Sequence, residues 1–104
     1  MIRAIAGFGF ILFAATAVAA DADAGLAYLD AQCGACHATG TQGDSPLAQA
    51  PAFRDLGGSY PPEALEEALA EGIITGHPDM PEIAANPRDI DNAIAWLERI
   101  QPAR

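Results

Sequence analysis

Apolar residues follow a helical pattern most clearly near the carboxyl end of the 104-residue chain. Spacings of three and four there predict an amphipathic helix with one apolar stripe. The stripe consists of Ile90, Ala93, Ile94, Leu97 and Ile100, and Trp96 stands at its edge. Asn86 precedes it as a plausible cap, and Pro87 suits the first helical position. We therefore predict that the last helix begins at Asn86 and Pro87.

A first helix is predicted over residues 22–31, which are rich in Ala and Leu and carry Asp at the outset, where the helix dipole favours negative charge. Gly25, Leu29 and Cys33 are spaced by four and share one face. A glycine inside a helix costs about 1 kcal/mol relative to alanine. Gly25 therefore indicates either a close helix crossing or a glycine tolerated near a frayed helix start.

A short middle helix is predicted to open at Pro61, Pro62 and Glu63 and to end at Gly72. Its buried face would consist of Leu65, Ala68 and Leu69. Between the first two helices, glycines and prolines interrupt residues 38–62, which predicts loop with at most short helical turns. A loop of that length is uncommon in a compact domain unless it wraps something. No strand, repeat or second domain is evident, so the pattern predicts an all-α fold.

The first twenty residues differ from the rest. Arg3 is their only charge, an apolar run follows, and the small residues 17–20 end it. This arrangement is typical of a secretory signal peptide, cleaved near Ala19 or Ala20. An uncleaved membrane anchor is the alternative, although the run is short for a membrane span of about 20 residues. We expect residues 1–20 to be the signal and residues 21–104 to be one domain of a periplasmic protein with no stable membrane insertion after cleavage.

The predicted domain is strongly acidic. It carries all fourteen Asp and Glu residues, four arginines and no lysine, a formal charge of −10. Nucleic acid and anionic membrane surfaces are therefore poor partners. The acidic surface serves solubility, or it steers the protein to a basic docking patch on a redox partner.

Candidate chemistry is concentrated at Cys33-Gly34-Ala35-Cys36-His37. C-x-x-C-H is the signature of covalent haem attachment. On a helical turn these spacings place both thiols and the imidazole on one side of the backbone. Each thiol can form a thioether with a haem vinyl group while the imidazole faces the iron. A disulfide between Cys33 and Cys36 is the alternative, but it would close a very small loop and leave His37 unexplained.

Met80 is the candidate second iron ligand. It is the only methionine besides Met1, and it lies between Pro78 and Pro81, which exclude continuous helix. A thioether opposite an imidazole favours ferrous iron and raises the reduction potential. His77 is the competing ligand, and Met80 as a core filler remains a further alternative.

These motifs resemble those of the class I cytochromes c, specifically the small exported bacterial type. The resemblance covers essentially residues 22–104: a helix leading into C-x-x-C-H, a proline loop around Met80, and a last helix with the aromatic Trp96. It implies that Gly25 is the helix-crossing glycine and that the carbonyl of Pro51 accepts a hydrogen bond from the imidazole of His37. Leu29 replaces a common aromatic, and the lysine ring of mitochondrial relatives is absent.

The resemblance implies a small cytochrome c fold of about three helices with loops wrapped around one covalently bound haem c. Cys33, Cys36, His37, Met80 and Pro51 would bind the cofactor, with His37 and Met80 on the iron. We expect a monomeric one-electron carrier, not an enzyme, that exchanges electrons with redox protein donors and acceptors, namely respiratory or dehydrogenase partners. A haem-dependent peroxidase, a haem subunit of a larger oxidoreductase complex and a thiol oxidoreductase are the alternatives.

Overall fold

The structure, a computed structural model, describes residues 3–4, 6–11, 18–59, 61–72, 83 and 85–102. Within these ranges, three α-helices follow one another along the chain: α1 (Ala22–Cys33), α2 (Leu65–Glu71) and α3 (Pro87–Ile100). Two short 3₁₀-helices, Phe53–Gly58 and Pro62–Ala64, lie between α1 and α2. No strand occurs in the described part of the chain. The all-α prediction is confirmed.

The two long helices begin at side-chain caps. Asp21 precedes α1, and its carboxylate accepts a hydrogen bond from the amide of Ala24 at 3.1 Å. Asn86 precedes α3, and its Oδ1 accepts from the amide of Asp89 at 2.9 Å. Pro87 occupies the first position of α3, as predicted, where a missing N–H costs nothing. Caps of this kind satisfy amides that have no partner within the helix.

Helices α1 and α3 cross in direct contact at Gly25. A Cβ built on Gly25 would overlap the carbonyl group of Asn92 and lie 2.9 Å from the amide nitrogen of Ala93. Ala93 is fully buried at this crossing. The prediction of a close helix crossing is confirmed, because only a residue without a side chain allows the two backbones to approach so closely.

The core lies between these helices, and the two 3₁₀-helices and α2 cover its other sides. Its buried members are Ala22, Leu29, Phe53, Leu69, Ile90, Ala93, Trp96 and Leu97. The apolar stripe of α3 supplies Ile90, Ala93 and Leu97 to it, while Ile94 and Ile100 are half-buried. Trp96, predicted at the edge of the stripe, is 7% exposed and also belongs to the core.

Gln101 joins the end of α3 to the first 3₁₀-helix. Its Oε1 accepts from the amide of Gly57 at 2.7 Å, and its Nε2 donates to the carbonyl of Phe53 at 2.8 Å. The middle helix ends as predicted at Gly72, whose φ of 91° lies in the left-handed region that favours glycine. Among the described residues, no helix has the length and apolar character that a membrane crossing requires.

Candidate functional site

The C-x-x-C-H motif begins on the last residue of α1 and continues into a tight turn. Cys33 ends the helix, and its carbonyl accepts hydrogen bonds from the amides of Cys36 at 3.2 Å and His37 at 2.9 Å. The two thiols and the imidazole therefore project from a single turn of backbone. Both cysteines are free of a disulfide, so the bridge that the sequence left open does not form in this structure.

The two thiols differ in their surroundings. Burial raises the pKa of Cys33 from 9.0 to about 11, and the neighbouring Cys36 adds to the rise. A thiol with such a pKa is protonated at neutral pH and is a weak nucleophile, whereas catalytic cysteines of oxidoreductases have lowered pKa values. The environment of Cys33 therefore suits a structural or attachment role.

The imidazole of His37 is held by a backbone carbonyl and an aromatic ring. Its Nδ1 lies 2.7 Å from the carbonyl oxygen of Pro51. A carbonyl only accepts hydrogen bonds, so Nδ1 carries the proton and donates it. In the neutral ring the lone pair is then on Nε2, the arrangement that a histidine ligand of a metal uses. The ring of Phe53 lies beside the imidazole, with centroids 4.8 Å apart and planes inclined by 34°.

The hydrogen bond between His37 and Pro51 is the one that the family resemblance implied. Pro51 lies fourteen residues further along the chain, just before the 3₁₀-helix that starts at Phe53. Two residues of one short segment thus contact the imidazole, one through its carbonyl and one through its ring. This contact determines the direction in which Nε2 points.

Four hydrogen bonds hold Ala38 and Thr39, the two residues directly after His37, in position. Ala38 receives a bond from the amide of Phe53 at 2.9 Å, and its own amide donates to the hydroxyl of Ser45 at 3.0 Å. Thr39 is buried; its hydroxyl donates to Asp30 at 3.1 Å, and its carbonyl accepts from the indole Nε1 of Trp96 at 2.8 Å. Helix α3 therefore supports the backbone that carries the imidazole.

Sequence reasoning missed two features of this site. The indole donor of Trp96 finds its acceptor 57 residues away, and periodicity gives no signal for such a bond. Arg54 follows Phe53, and its Nη1 is buried without a hydrogen-bond partner among the described residues. The sequence did contain one indication of this feature: Arg54 is one of four arginines after residue 20, and it lies in the mostly apolar stretch 50–56.

Met80 and His77, the two candidates for the second iron ligand, lie outside the described residues. Their assignment therefore remains a prediction. Of the predicted cofactor-binding residues, the structure describes Cys33, Cys36, His37 and Pro51 and brings them together in one place.

The donor set fits a covalently attached haem better than a bare metal ion. Within the described part of the chain, no three His, Cys, Asp or Glu side chains converge so as to hold a metal ion. The motif instead offers two unpaired thiols and one imidazole oriented through its Nδ1. Two attachment points and one iron ligand are what haem c requires from this side.

A family model matches most of the chain. The family is described as Cytochrome C oxidase, cbb3-type, subunit III, and the match covers residues 20–97. The matched range includes the whole C-x-x-C-H motif, Pro51 and Met80. No curated protein and no solved structure matches the chain.

Proposed function

We propose that this chain, which belongs to that family of c-type cytochromes, carries single electrons between redox proteins in the periplasm. Membership of the family makes the chain a haem-binding electron-transfer protein with covalently bound haem c. We further propose that the chain binds one haem through the residues named below, and that it works in the periplasm with redox protein donors and acceptors. The proposal also includes that the protein is a carrier and not an enzyme.

The observation that carries the proposal is the hydrogen bond from Nδ1 of His37 to the carbonyl of Pro51. It fixes the tautomer and the ring direction, the two properties that a backbone carbonyl gives to a metal-ligating histidine. Cys33 and Cys36 would hold the haem through thioether bonds on the same turn. His37 would bind the iron from this side and Met80 from the other.

The contribution of the protein is orientation, burial and ligand choice. The haem supplies the iron that alternates between the ferrous and ferric states. Phe53 covers one side of the imidazole, and the bond from Trp96 to Thr39 holds the backbone next to it. A thioether ligand from Met80 would favour the ferrous state and keep small molecules from the iron.

The iron ligands can be tested by absorption spectroscopy of the purified ferric protein. We expect Met80→Ala to lose the red-region band of an iron–thioether bond, and His77→Ala to keep it. The opposite result would assign the iron to His77. A pyridine haemochrome assay comes first, because a chain without covalent haem would refute both the carrier and any haem enzyme.

Export is proposed from the first twenty residues. Residues 3–4, 6–11 and 18–20 have no regular secondary structure, and Phe8 and Phe10 are 95% and 91% exposed. Large apolar side chains left outside the core are consistent with a segment that is removed before the domain functions. Mass spectrometry of the periplasmic protein should give a first residue at position 20 or 21, whereas an intact Met1 would refute cleavage.

A second candidate function is that of a haem subunit in a larger complex. The name of the matched family, which refers to an oxidase subunit, favours this candidate. Native electrophoresis of gently solubilised cells, stained for covalent haem, separates the two. A free carrier migrates as a small haem protein, and a subunit migrates with a large assembly.

Two enzymatic alternatives have weaker support. A peroxidase needs an open position on the iron and would therefore bind carbon monoxide readily in its reduced form. We expect this protein, when reduced, to resist carbon monoxide binding. A thiol oxidoreductase needs an activated cysteine, and the raised pKa of Cys33 opposes that role.

The acidic surface is proposed to meet basic patches on the electron donor and acceptor. The domain carries fourteen acidic residues and four arginines. Attraction between such surfaces is screened by salt. Stopped-flow rates with a basic redox protein should fall as ionic strength rises, and rates independent of salt would leave solubility as the role of the charge.

A further inference from the structure

A surface groove of about 500 Å³ lies between α2, with the 3₁₀-helix that precedes it, and the start of α3. Its apolar lining consists of Ala64, Ala70, Pro87 and Ile90. Ile90 is buried, whereas the other three side chains are exposed to water. Apolar surface gains free energy when a partner removes it from water. We call this feature the α2–α3 groove.

The rest of the α2–α3 groove is acidic. Its other lining residues are Glu63, Glu66, Glu67 and Asp91, so it holds four carboxylates and no basic side chain. All four are exposed, and within the described part of the chain none of them forms an ion pair. The helix dipole favours Glu66 and Glu67 in the first turn of α2, but Asp91 lies beyond the first turn of α3. Helix stability therefore does not explain the whole cluster.

These charges decide which kind of partner fits the groove. A second copy of the domain would be repelled, because residues 21–104 carry a formal charge of −10. Nucleic acid and anionic membranes are repelled for the same reason. A protein segment that combines lysine or arginine with apolar side chains matches both the carboxylates and the apolar lining.

The groove favours a helix over an extended segment. Its lining from residue 63 to residue 70 extends for roughly 10 Å, or two helical turns. An extended segment would place unpaired backbone amides on apolar surface, and the described residues include no strand with which it could pair. A helix satisfies its own backbone and presents apolar side chains along one face, flanked by basic ones.

We propose that the α2–α3 groove is the docking site for a basic amphipathic helix of a redox partner protein. The proposal rests on the proposed function and adds where the partner meets this domain. No lining residue belongs to the C-x-x-C-H motif or to the segment 51–53 that contacts His37. The groove would thus anchor a partner through residues other than those proposed to hold the haem.

The test is NMR mapping of the reduced, ¹⁵N-labelled holoprotein with a helical peptide of leucines and lysines, about 16 residues long. We expect amide shifts within residues 63–70 and 88–91, and weaker binding as salt rises. A scrambled peptide of the same composition keeps the charge but loses the apolar face. It should bind at least about tenfold more weakly, because its leucines cannot enter the groove together.

The double variant Glu67→Gln/Asp91→Asn should weaken binding of the leucine–lysine peptide at least about threefold. Glu71→Gln/Asp44→Asn is the matched control, because it also removes two exposed carboxylates, and neither lines the groove. The control should bind as the wild type does. Absent binding, shifts centred elsewhere, equal binding of the scrambled peptide, or equal losses in both variants would overturn the inference and leave the carrier function intact. A chain that carries no haem would refute the proposed function itself.

Discussion

Replacement of Gly25 by alanine tests how closely α1 and α3 approach. The added Cβ would overlap the carbonyl group of Asn92, and that carbonyl belongs to the helix backbone and cannot rotate away. Overpacking of this kind costs typically about 1 to 3 kcal/mol, and a rigid backbone neighbour favours the upper end. Alanine returns about 1 kcal/mol through its higher helix propensity. The net loss of stability is therefore about 2 kcal/mol.

Chemical denaturation of the purified holoprotein, followed by circular dichroism and haem absorbance, measures this loss. For a domain of this size it corresponds to a fall of roughly 8 to 16 °C in Tm. Gly40→Ala is the matched control, since nothing lies within 4 Å of its Cβ position, and it should change stability by no more than about 0.5 kcal/mol. A Gly25→Ala protein as stable as the wild type would mean that the helices do not meet at this residue.

Two further substitutions test side chains of α3. Trp96→Phe keeps the aromatic ring but leaves the buried carbonyl of Thr39 without its donor, which should cost about 1 to 3 kcal/mol in denaturation; an unchanged midpoint would contradict the role of this bond. Glu98 is exposed, but some loss of hydration, a hydrogen bond with Glu63 and repulsion from Glu63 raise the pKa of its carboxyl above the ordinary value. The wild type therefore loses stability as pH rises through that raised pKa. Glu98→Gln should therefore have a higher Tm than the wild type at pH 7 and the same Tm near pH 4. A Tm difference that grew toward acid pH would contradict a raised pKa of Glu98.

The parts of the fold that depend on local sequence were predictable. Asn86 and Pro87 mark the start of α3, and Gly72 marks the end of α2, because capping and backbone preferences act within a few residues. Gly25 was predictable as a crossing point because glycine lowers helix stability, so on an apolar face of a helix it indicates a close approach of another backbone. In the motif, spacing alone placed Cys33 and His37 on one turn.

The parts that depend on distant contacts were not predictable. Trp96 lies inside the core because its indole reaches the carbonyl of Thr39, and a helical wheel contains no information about that acceptor. The contact between the rings of Phe53 and His37 depends on how the 38–53 segment returns to α1. The unpaired Nη1 of Arg54 becomes visible only when burial is known atom by atom.

The segment between the motif and the first 3₁₀-helix is closed at its base, and this makes its tip available for protein engineering. The amide of Phe53 bonds the carbonyl of Ala38, and His37 bonds Pro51, so the two ends of the segment are joined directly to each other. Residues 41–44 at the tip are exposed. Doubling the length of a flexible loop costs only about 0.6 kcal/mol in closure entropy. A peptide tag or surface-attachment sequence inserted between Gln42 and Gly43 would leave His37 in its position, so this site could be used to attach the protein to an electrode.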